Sequence, residues 1–263
     1  MATTDQTHIP YLLHLADSAL VLGQRNAEWC GHGPVLEEDI ALANISLDLI
    51  GQARLLYQHA ATLMGAPATE DTLAYFRDGG EFRNYTLLEL PHGIAQGERD
   101  YSVTIVRNFL YSALMVLLWE ALQTSSDTQL AAIAGRSVKE VRYHLRHSRD
   151  WLVRLGDGTL ESHARTQAAL DHLVPYVPEF WAQCATENVA TEAGVGISGA
   201  SLQDAWQAIV DEACAEATLS INPSKSTMAA APLQGKNGVH SFHLAPLLDD
   251  MQSLARQHPG ATW

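Results

Sequence analysis

Basic side chains are scarce in this 263-residue chain, where 16 Lys and Arg stand against 30 Asp and Glu for a formal net charge of -14. Such a surface repels a phosphate backbone, which argues against a nucleic-acid partner. Lysine is rarest, since 13 of the 16 are Arg, whose planar fork suits carboxylate or phosphate. Cysteine is scarce too. Cys30, Cys184 and Cys214 are odd in number, widely spaced and never in a Cys-x-x-Cys pair, which excludes a disulfide framework or zinc knuckle and leaves buried free thiols as the expectation. No long hydrophobic run occurs. The most apolar stretch, Ala113 to Trp119, is far short of the roughly 20 residues of a membrane span, so no membrane partner is expected. The start, Met1-Ala2-Thr3-Thr4-Asp5, lacks a basic patch ahead of an apolar stretch and does not read as a secretory signal, so a cytoplasmic location is expected. There is no Gly-x-Gly-x-x-Gly fingerprint after a strand, no Walker loop and no Gly-x-Ser-x-Gly elbow, which leaves nucleotide hydrolysis and Ser-hydrolase chemistry unsupported.

What is present is helical periodicity. Apolar residues make up 47% of the chain, enough for a substantial core, and they recur at helical intervals with no convincing period-two stretch. The clearest seam is Leu36, Ile40, Ala43, Leu47, Ile50, Arg54 and Tyr57; a second, Leu42, Ile45, Leu49 and Leu56, runs beside it. Two seams predict a largely buried helix, opened by Gly33 and Pro34, with Glu37, Glu38 and Asp39 at its positive end, and stopped by Gly65 and Pro67. At 1.5 Å per residue it is about 45 Å long. Further helices are expected over 8–30, 97–124, 128–155, 160–190, 202–219 and 243–257, with Asn222 to Gly238 as an exposed loop. The predicted fold is all-α: a single helical domain, 1–263, with a four-helix bundle and additional C-terminal helices.

A bundle of that kind can hold a metal pair, and here its ligands are missing. A di-iron centre takes one Glu from each of two helices and a Glu-x-x-His turn from each of the other two. In the second helix Leu49 and Gln52 stand at the carboxylate and imidazole positions; in the fourth His144 is present but Val141 occupies the carboxylate position. The third helix has no carboxylate between Asp100 and Glu120, and the first offers Asp17 and Glu28 near its ends. Too few anionic donors remain for a metal site, so neither metal nor catalytic residue is expected in this chain.

Other groupings have two readings each. Glu140 and His144, with Asn44, Asp48 and Gln52 at intervals of four, could form a polar network in the metal's place, or Asn44 and Asp48 could face solvent or a partner. His144 with His147, and His240 with His243, lack the further ligand a metal needs and read as structural or surface histidines. Arg142, Arg146 and Arg149 fall on one helical face, either a ridge that docks a partner subunit or phosphates, or an intramolecular ion-pair face.

Longer motifs carry a family resemblance. Glu28-Trp29-Cys30-Gly31-His32-Gly33-Pro34 with the run from Leu36 to Arg54, then Asp71 to Asp78, Lys139 to Arg146, Arg154 to Thr159, Gly235 to His240 and Pro259 to Trp263 together resemble the C-subunit family of the bacterial phenylacetyl-CoA 1,2-epoxidases. The resemblance spans nearly the whole chain. It implies a ferritin-like structural subunit of aerobic phenylacetate catabolism that pairs with a catalytic di-iron oxygenase A subunit, while a B subunit and a reductase drawing on NADPH complete the complex. It also implies that this chain helps form the phenylacetyl-CoA site through Glu81, Phe82, Arg83 and Asn84, with a second region at Asn188, Val189 and Ala190. The sequence departs from the family at His92-Gly93-Ile94 and at Phe242. Two rivals stay open, a self-sufficient ferritin-like di-metal oxidase and a stand-alone acyl-CoA binding protein, as does a homodimer.

Overall fold

The computed structural model describes residues 8–95, 97–221 and 234–261. Among these no strand forms, and the sole bridge is an isolated one between Gln234 and Val239, so the class is all-α. The α-helices are α1 (Ile9–Ala27), α2 (Leu36–Met64), α3 (Glu70–Tyr75), α4 (Tyr101–Leu122), α5 (Thr128–Gly156), α6 (Leu160–Leu173), α7 (Pro178–Trp181), α8 (Ala185–Glu192), α9 (Gln203–Glu216) and α10 (Leu244–Gln257). They fall into two compact units: 1–90 with 184–196 and 234–263, and 91–183 with 197–233.

The first unit is built on the α1–α2 hairpin. Pro10 opens α1 where its missing amide hydrogen costs nothing. A side chain at Gly23 would lie 3.1 Å from Ile50 and 3.3 Å from Leu49, so glycine there lets α1 and α2 approach closely. Glu37, Glu38 and Asp39 occupy the first turn of α2, and Gly65, at φ 78°, ends it. The expectation that α2 is largely buried holds for one seam only. Leu42, Ile45, Leu49 and Leu56 are buried, whereas Leu36, Ile40 and Leu47 are 72%, 52% and 67% exposed. A 100° turn per residue explains this, because the second seam faces α1 squarely while the first turns away from it except at Ile50 and Tyr57. Sequence periodicity missed α3, a short helix closed by a reciprocal Thr69–Thr72 capping box.

The second unit is built on the α4–α5 hairpin. Asp100 and Asp127 cap the two helices through their side-chain oxygens. By length and composition α4 could pass for a membrane span, but 94% of its most apolar window is buried, which makes it a core helix. Even Arg107 is enclosed there, 3.3 Å from His92 Nδ1. Trp206 on α9 donates from Nε1 to the carbonyl of Leu110 at 3.0 Å and packs edge-on against Phe180 and Trp181.

Three boundaries need correction. The helix expected over 160–190 is broken, because Pro175 and Pro178 lack amide hydrogens; a 3-10 turn at Val174–Tyr176, α7, an extended Ala182 and then α8 follow α6. The third bundle helix begins at Tyr101, not at 97. Of the predicted exposed loop, 222–233 lies outside the described residues, and its end is exposed only in part: Gly235 and Lys236 are buried in a 3-10 turn while Asn237 is exposed. Cys184 and Cys214 are buried as expected, but Cys30 is exposed. Burial pushes the Cys214 thiol up to about 11.

Candidate functional site

Residues 77–90 thread the first unit and are fixed by three polar clusters. The first centres on Asp17. It was expected near the end of α1, yet it lies in mid-helix, fully buried. Arg77 reaches it with both terminal guanidinium nitrogens. Tyr57 on α2 donates to it at 2.5 Å, and the Arg83 amide donates at 2.8 Å. The remaining Arg77 donors go to the carbonyls of Leu73 and Glu81 and to the Tyr57 hydroxyl, and its guanidinium covers the Phe82 ring at 4.4 Å. Burial alone would lower the Arg77 pKa, but Asp17 outweighs it and holds the group firmly cationic. Burial, then Asp17, pushes the Tyr57 phenol well above its usual range, so it stays a donor.

The second cluster centres on Glu89, also fully buried. One carboxylate oxygen accepts from Asn84 at 3.0 Å and from His240 Nδ1 at 2.5 Å; the other accepts from the Ser241 amide at 2.8 Å and hydroxyl at 2.6 Å. His240 Nε2 faces the carbonyl of Phe82 at 2.9 Å. Each ring nitrogen of His240 stands beside an oxygen, so the ring bridges the Glu89 carboxyl group and the Phe82 carbonyl. Arg25 donates to the Glu89 carbonyl at 2.6 Å. Burial, then the Arg25 charge, lowers the pKa of nearby His243.

The third cluster joins α8 to this segment. Lys236 pairs with Glu187 at 2.8 Å, both buried, and its ammonium stands 5.7 Å from the Tyr85 ring centre. His14 meets the edge of the same ring at 4.7 Å and donates from Nδ1 to the carbonyl of Arg83 at 2.6 Å. Burial, then the Lys236 charge, lowers His14 to about 3, so its ring is neutral.

These clusters place the residues expected at an acyl-CoA ester. Phe82 and Asn84 are fully buried, and Ala190 is buried. Glu81, Asn188 and Val189 are exposed, and Arg83 is half-buried with one guanidinium nitrogen donating to the carbonyls of Gly80 and Phe82 at 2.7 Å each. Lys236 links the two regions: Tyr85 follows Asn84, and Glu187 precedes Asn188. Phe82 and Asn84 therefore shape the segment from beneath, while Glu81, Arg83, Asn188 and Val189 are the side chains that can meet a ligand.

Leu49, Gln52, Val141 and His144 are all buried. Asn44 is exposed and Asp48 half-buried, so Asn44 takes no part in a buried network, and Glu140 pairs with Arg136 at 3.5 Å. Glu28 is used by Arg25 at 2.7 Å. On the basic ridge Arg142 pairs with Glu120 at 2.8 Å, and Arg149 pairs with Glu212 at 3.1 Å and Glu216 at 2.6 Å. Arg146 is exposed and lies over the Tyr143 ring at 5.6 Å. Sequence reasoning missed Asp17, Glu89, Glu187, Lys236 and His240 as a set. One signal was available: Lys236 is among only three lysines and sits in Gly235-Lys236-Asn237-Gly238, a tight turn around a charge.

The family described as Phenylacetic acid catabolic protein matches residues 1–263. The C subunit of the 1,2-phenylacetyl-CoA epoxidase of Escherichia coli (strain K12) is 43% identical over 253 residues, covering 96% of this chain and 98% of that protein.

Proposed function

The chain belongs to the phenylacetic acid catabolic protein family, and from that premise we propose that it is a non-catalytic, structural subunit of a multicomponent phenylacetyl-CoA epoxidase. In this reading residues 1–263 form a single ferritin-like domain in the cytoplasm. The subunit pairs with a di-iron oxygenase subunit, works beside a B subunit and an NADPH-dependent reductase, and lends Glu81, Arg83, Asn188 and Val189 to the CoA-ester site.

One observation carries the non-catalytic part: Leu49 and Val141, which have no lone pairs, stand where a di-iron site needs carboxylates. The structure adds support, because Asp17, the carboxylate inside α1, is already held by Arg77, Tyr57 and the Arg83 amide. A carboxylate engaged by four donors is not free for a cation.

Iron analysis of the purified chain tests the proposal. Less than one tenth of an equivalent is expected, about the level of adventitious iron; two equivalents per chain, or epoxidation with no companion subunit, overturn it. Adding this chain to a separately purified oxygenase subunit is expected to raise its turnover. If Arg146 docks that subunit, Arg146→Glu weakens co-elution, whereas Arg142 and Arg149 are already occupied within the chain.

A further inference from the structure

The side chains able to meet a ligand lie on two segments far apart in the chain, and one of them cannot hold its own shape. Asn188 and Val189 belong to α8, whose eight residues fall short of the roughly 12–15 at which a helix is stable by itself. Its pose is therefore set by what it packs on. Glu187 and Ala190, three apart, form its buried face, and Asn188 and Val189 turn outward. Ala190 fixes the C-terminal end near α1: a Cβ on Gly196 would lie 2.7 Å from Ala190 and 3.1 Å from the Tyr11 ring, and the Val195 and Gly196 amides donate to the Ala190 carbonyl at 2.9 and 2.8 Å. Glu187 anchors the other end, through Lys236.

Lys236 stands in a closed turn. Gln234 and Val239 form an antiparallel bridge around the 3-10 turn Gly235–Asn237, and Gly238 reverses the chain at φ 83°, a conformation glycine adopts without strain. Gly238 also presses on the other site segment: a Cβ there would lie 2.3 Å from Arg83 Nη1 and 2.4 Å from the Gly80 carbonyl oxygen. The turn thus grips Arg83 with its backbone and α8 with the Lys236 ammonium, which is 2.8 Å from Glu187 and 5.7 Å from the centre of the Tyr85 ring. The two paired side chains are only 3% and 5% exposed. Apolar groups of the same volume would often be as stable as such a buried pair. What the pair adds is a fixed direction between two segments.

We propose that Lys236 is a positioning residue of the CoA-ester site: its ion pair with Glu187 sets α8 at a fixed place relative to Arg83, so that Asn188 and Val189 meet the ligand already ordered. This role rests on the reading that Glu81, Arg83, Asn188 and Val189 line that site. Its consequence is kinetic. Ordering side chains at the moment of binding weakens affinity for the ligand, and it leaves untouched a chemical step carried out in another subunit.

The assembled epoxidase, assayed with phenylacetyl-CoA, provides the test. Lys236→Met alone leaves the Glu187 carboxylate buried without its cation and can cost the fold, so the deciding variant is Lys236→Met together with Glu187→Gln, which removes the tie and leaves no lone charge. This paired variant should melt above Lys236→Met and still co-elute with the oxygenase subunit. Its KM should rise about 10-fold while kcat stays within about 2-fold. Amide exchange should quicken in 185–192 and not in α2. An unchanged KM, a fall in kcat without a rise in KM, or a KM that recovers along with the melting temperature shows that the pair serves stability alone and overturns the proposal. The underlying reading is checked separately in the native complex, where phenylacetyl-CoA should slow exchange in both 81–84 and 185–192. Absence of that protection refutes the ligand site and the positioning role with it; protection with an unchanged KM in the paired variant refutes Lys236 alone.

Discussion

Replacing Asp17 by Asn keeps the shape of the side chain and removes its charge, so it isolates what the carboxylate does for the first unit. In the native chain Asp17 takes two guanidinium contacts from Arg77, a hydrogen bond from Tyr57 at 2.5 Å and another from the Arg83 amide at 2.8 Å. An amide at that position has one oxygen for these four donors, and its NH2 points a fifth donor at them. Arg77, with only 9% of its side chain exposed, is left buried beside a neutral partner. Breaking a buried pair in this way costs about 3–5 kcal/mol. For a chain of this size each kcal/mol lowers the melting temperature by roughly 2 °C, so Asp17→Asn should melt about 6–10 °C lower. Hydrogen exchange read by mass spectrometry should locate the loss in peptides covering α1 and residues 77–90. A double-mutant cycle completes the test. Because replacing both members of such a pair by apolar or neutral groups is far cheaper than removing one, Asp17→Asn with Arg77→Met should be more stable than the sum of the single changes by at least about 1 kcal/mol. A melt of Asp17→Asn within about 1 °C of the native protein, or strict additivity in the cycle, would refute the assignment of Asp17 as the tie between α1 and the site segment.

Three further outcomes follow from other contacts. His14 is held to about 3 in the folded chain against 6.5 for a free imidazole; the unfolded chain binds the extra proton between those values, so stability contributed by neutral His14 is complete above pH 6.5 and declines toward pH 3, by up to about 1.4 kcal/mol per pH unit. Urea midpoints at pH 7, 5.5 and 4.5 should show a shallower decline in His14→Phe, and parallel profiles would count against the assignment. His240→Gln loses the ring that meets both Glu89 and the Phe82 carbonyl, which should cost about 1–3 kcal/mol and speed amide exchange in 82–90 and 235–241 together; exchange confined to 235–241 would show that the two segments are not joined there. In the second unit a Cβ at Gly156 would overlap the carbonyl oxygen of Ala217, so Gly156→Ala should destabilise by about 1–3 kcal/mol in chemical denaturation, against the gain of up to about 1 kcal/mol expected of an unobstructed helical glycine.

The parts of this protein legible in the sequence are those governed by a short period or a local rule. The starts of α2 and α5 follow from an acidic first turn and from an Asp cap, and the buried seam of α2 from its 3.6-residue repeat. Periodicity says that a face is apolar but not whether the chain covers it, which is why both seams of α2 read as core although one is solvent-facing. The clusters around the site were illegible for a different reason. Glu89 meets His240 across 151 positions and Lys236 meets Glu187 across 49, and no local pattern signals a pair at such separation. Composition even misled, because Gly, Ser and Asn around Lys236 have the chemistry of an exposed turn, and only the carboxylate brought by α8 makes burial of that ammonium tolerable.

That contrast bears on how the family's site can vary. If Phe82 and Asn84 act from beneath, as their burial indicates, their side chains are fixed by Arg77 and Glu89 and hence by Asp17 and His240. A change at any one of these four leaves a buried polar or charged group short of a partner, so none can drift singly. The exposed Asn188 and Val189 carry no such coupling and can change one at a time, while the Glu81 side chain needs only an oxygen that accepts from the Asp78 amide at 2.8 Å, which Gln keeps. Ligand preference in this segment should therefore evolve through the exposed positions over an invariant charged underside. A panel of substitutions makes the distinction measurable: Val189→Ala and Glu81→Gln should leave the melting temperature within about 1 °C while altering acyl-CoA handling in the assembled epoxidase, whereas Asn84→Ala should shift both together, because it strips a donor from buried Glu89 at a cost of about 1.5–3 kcal/mol.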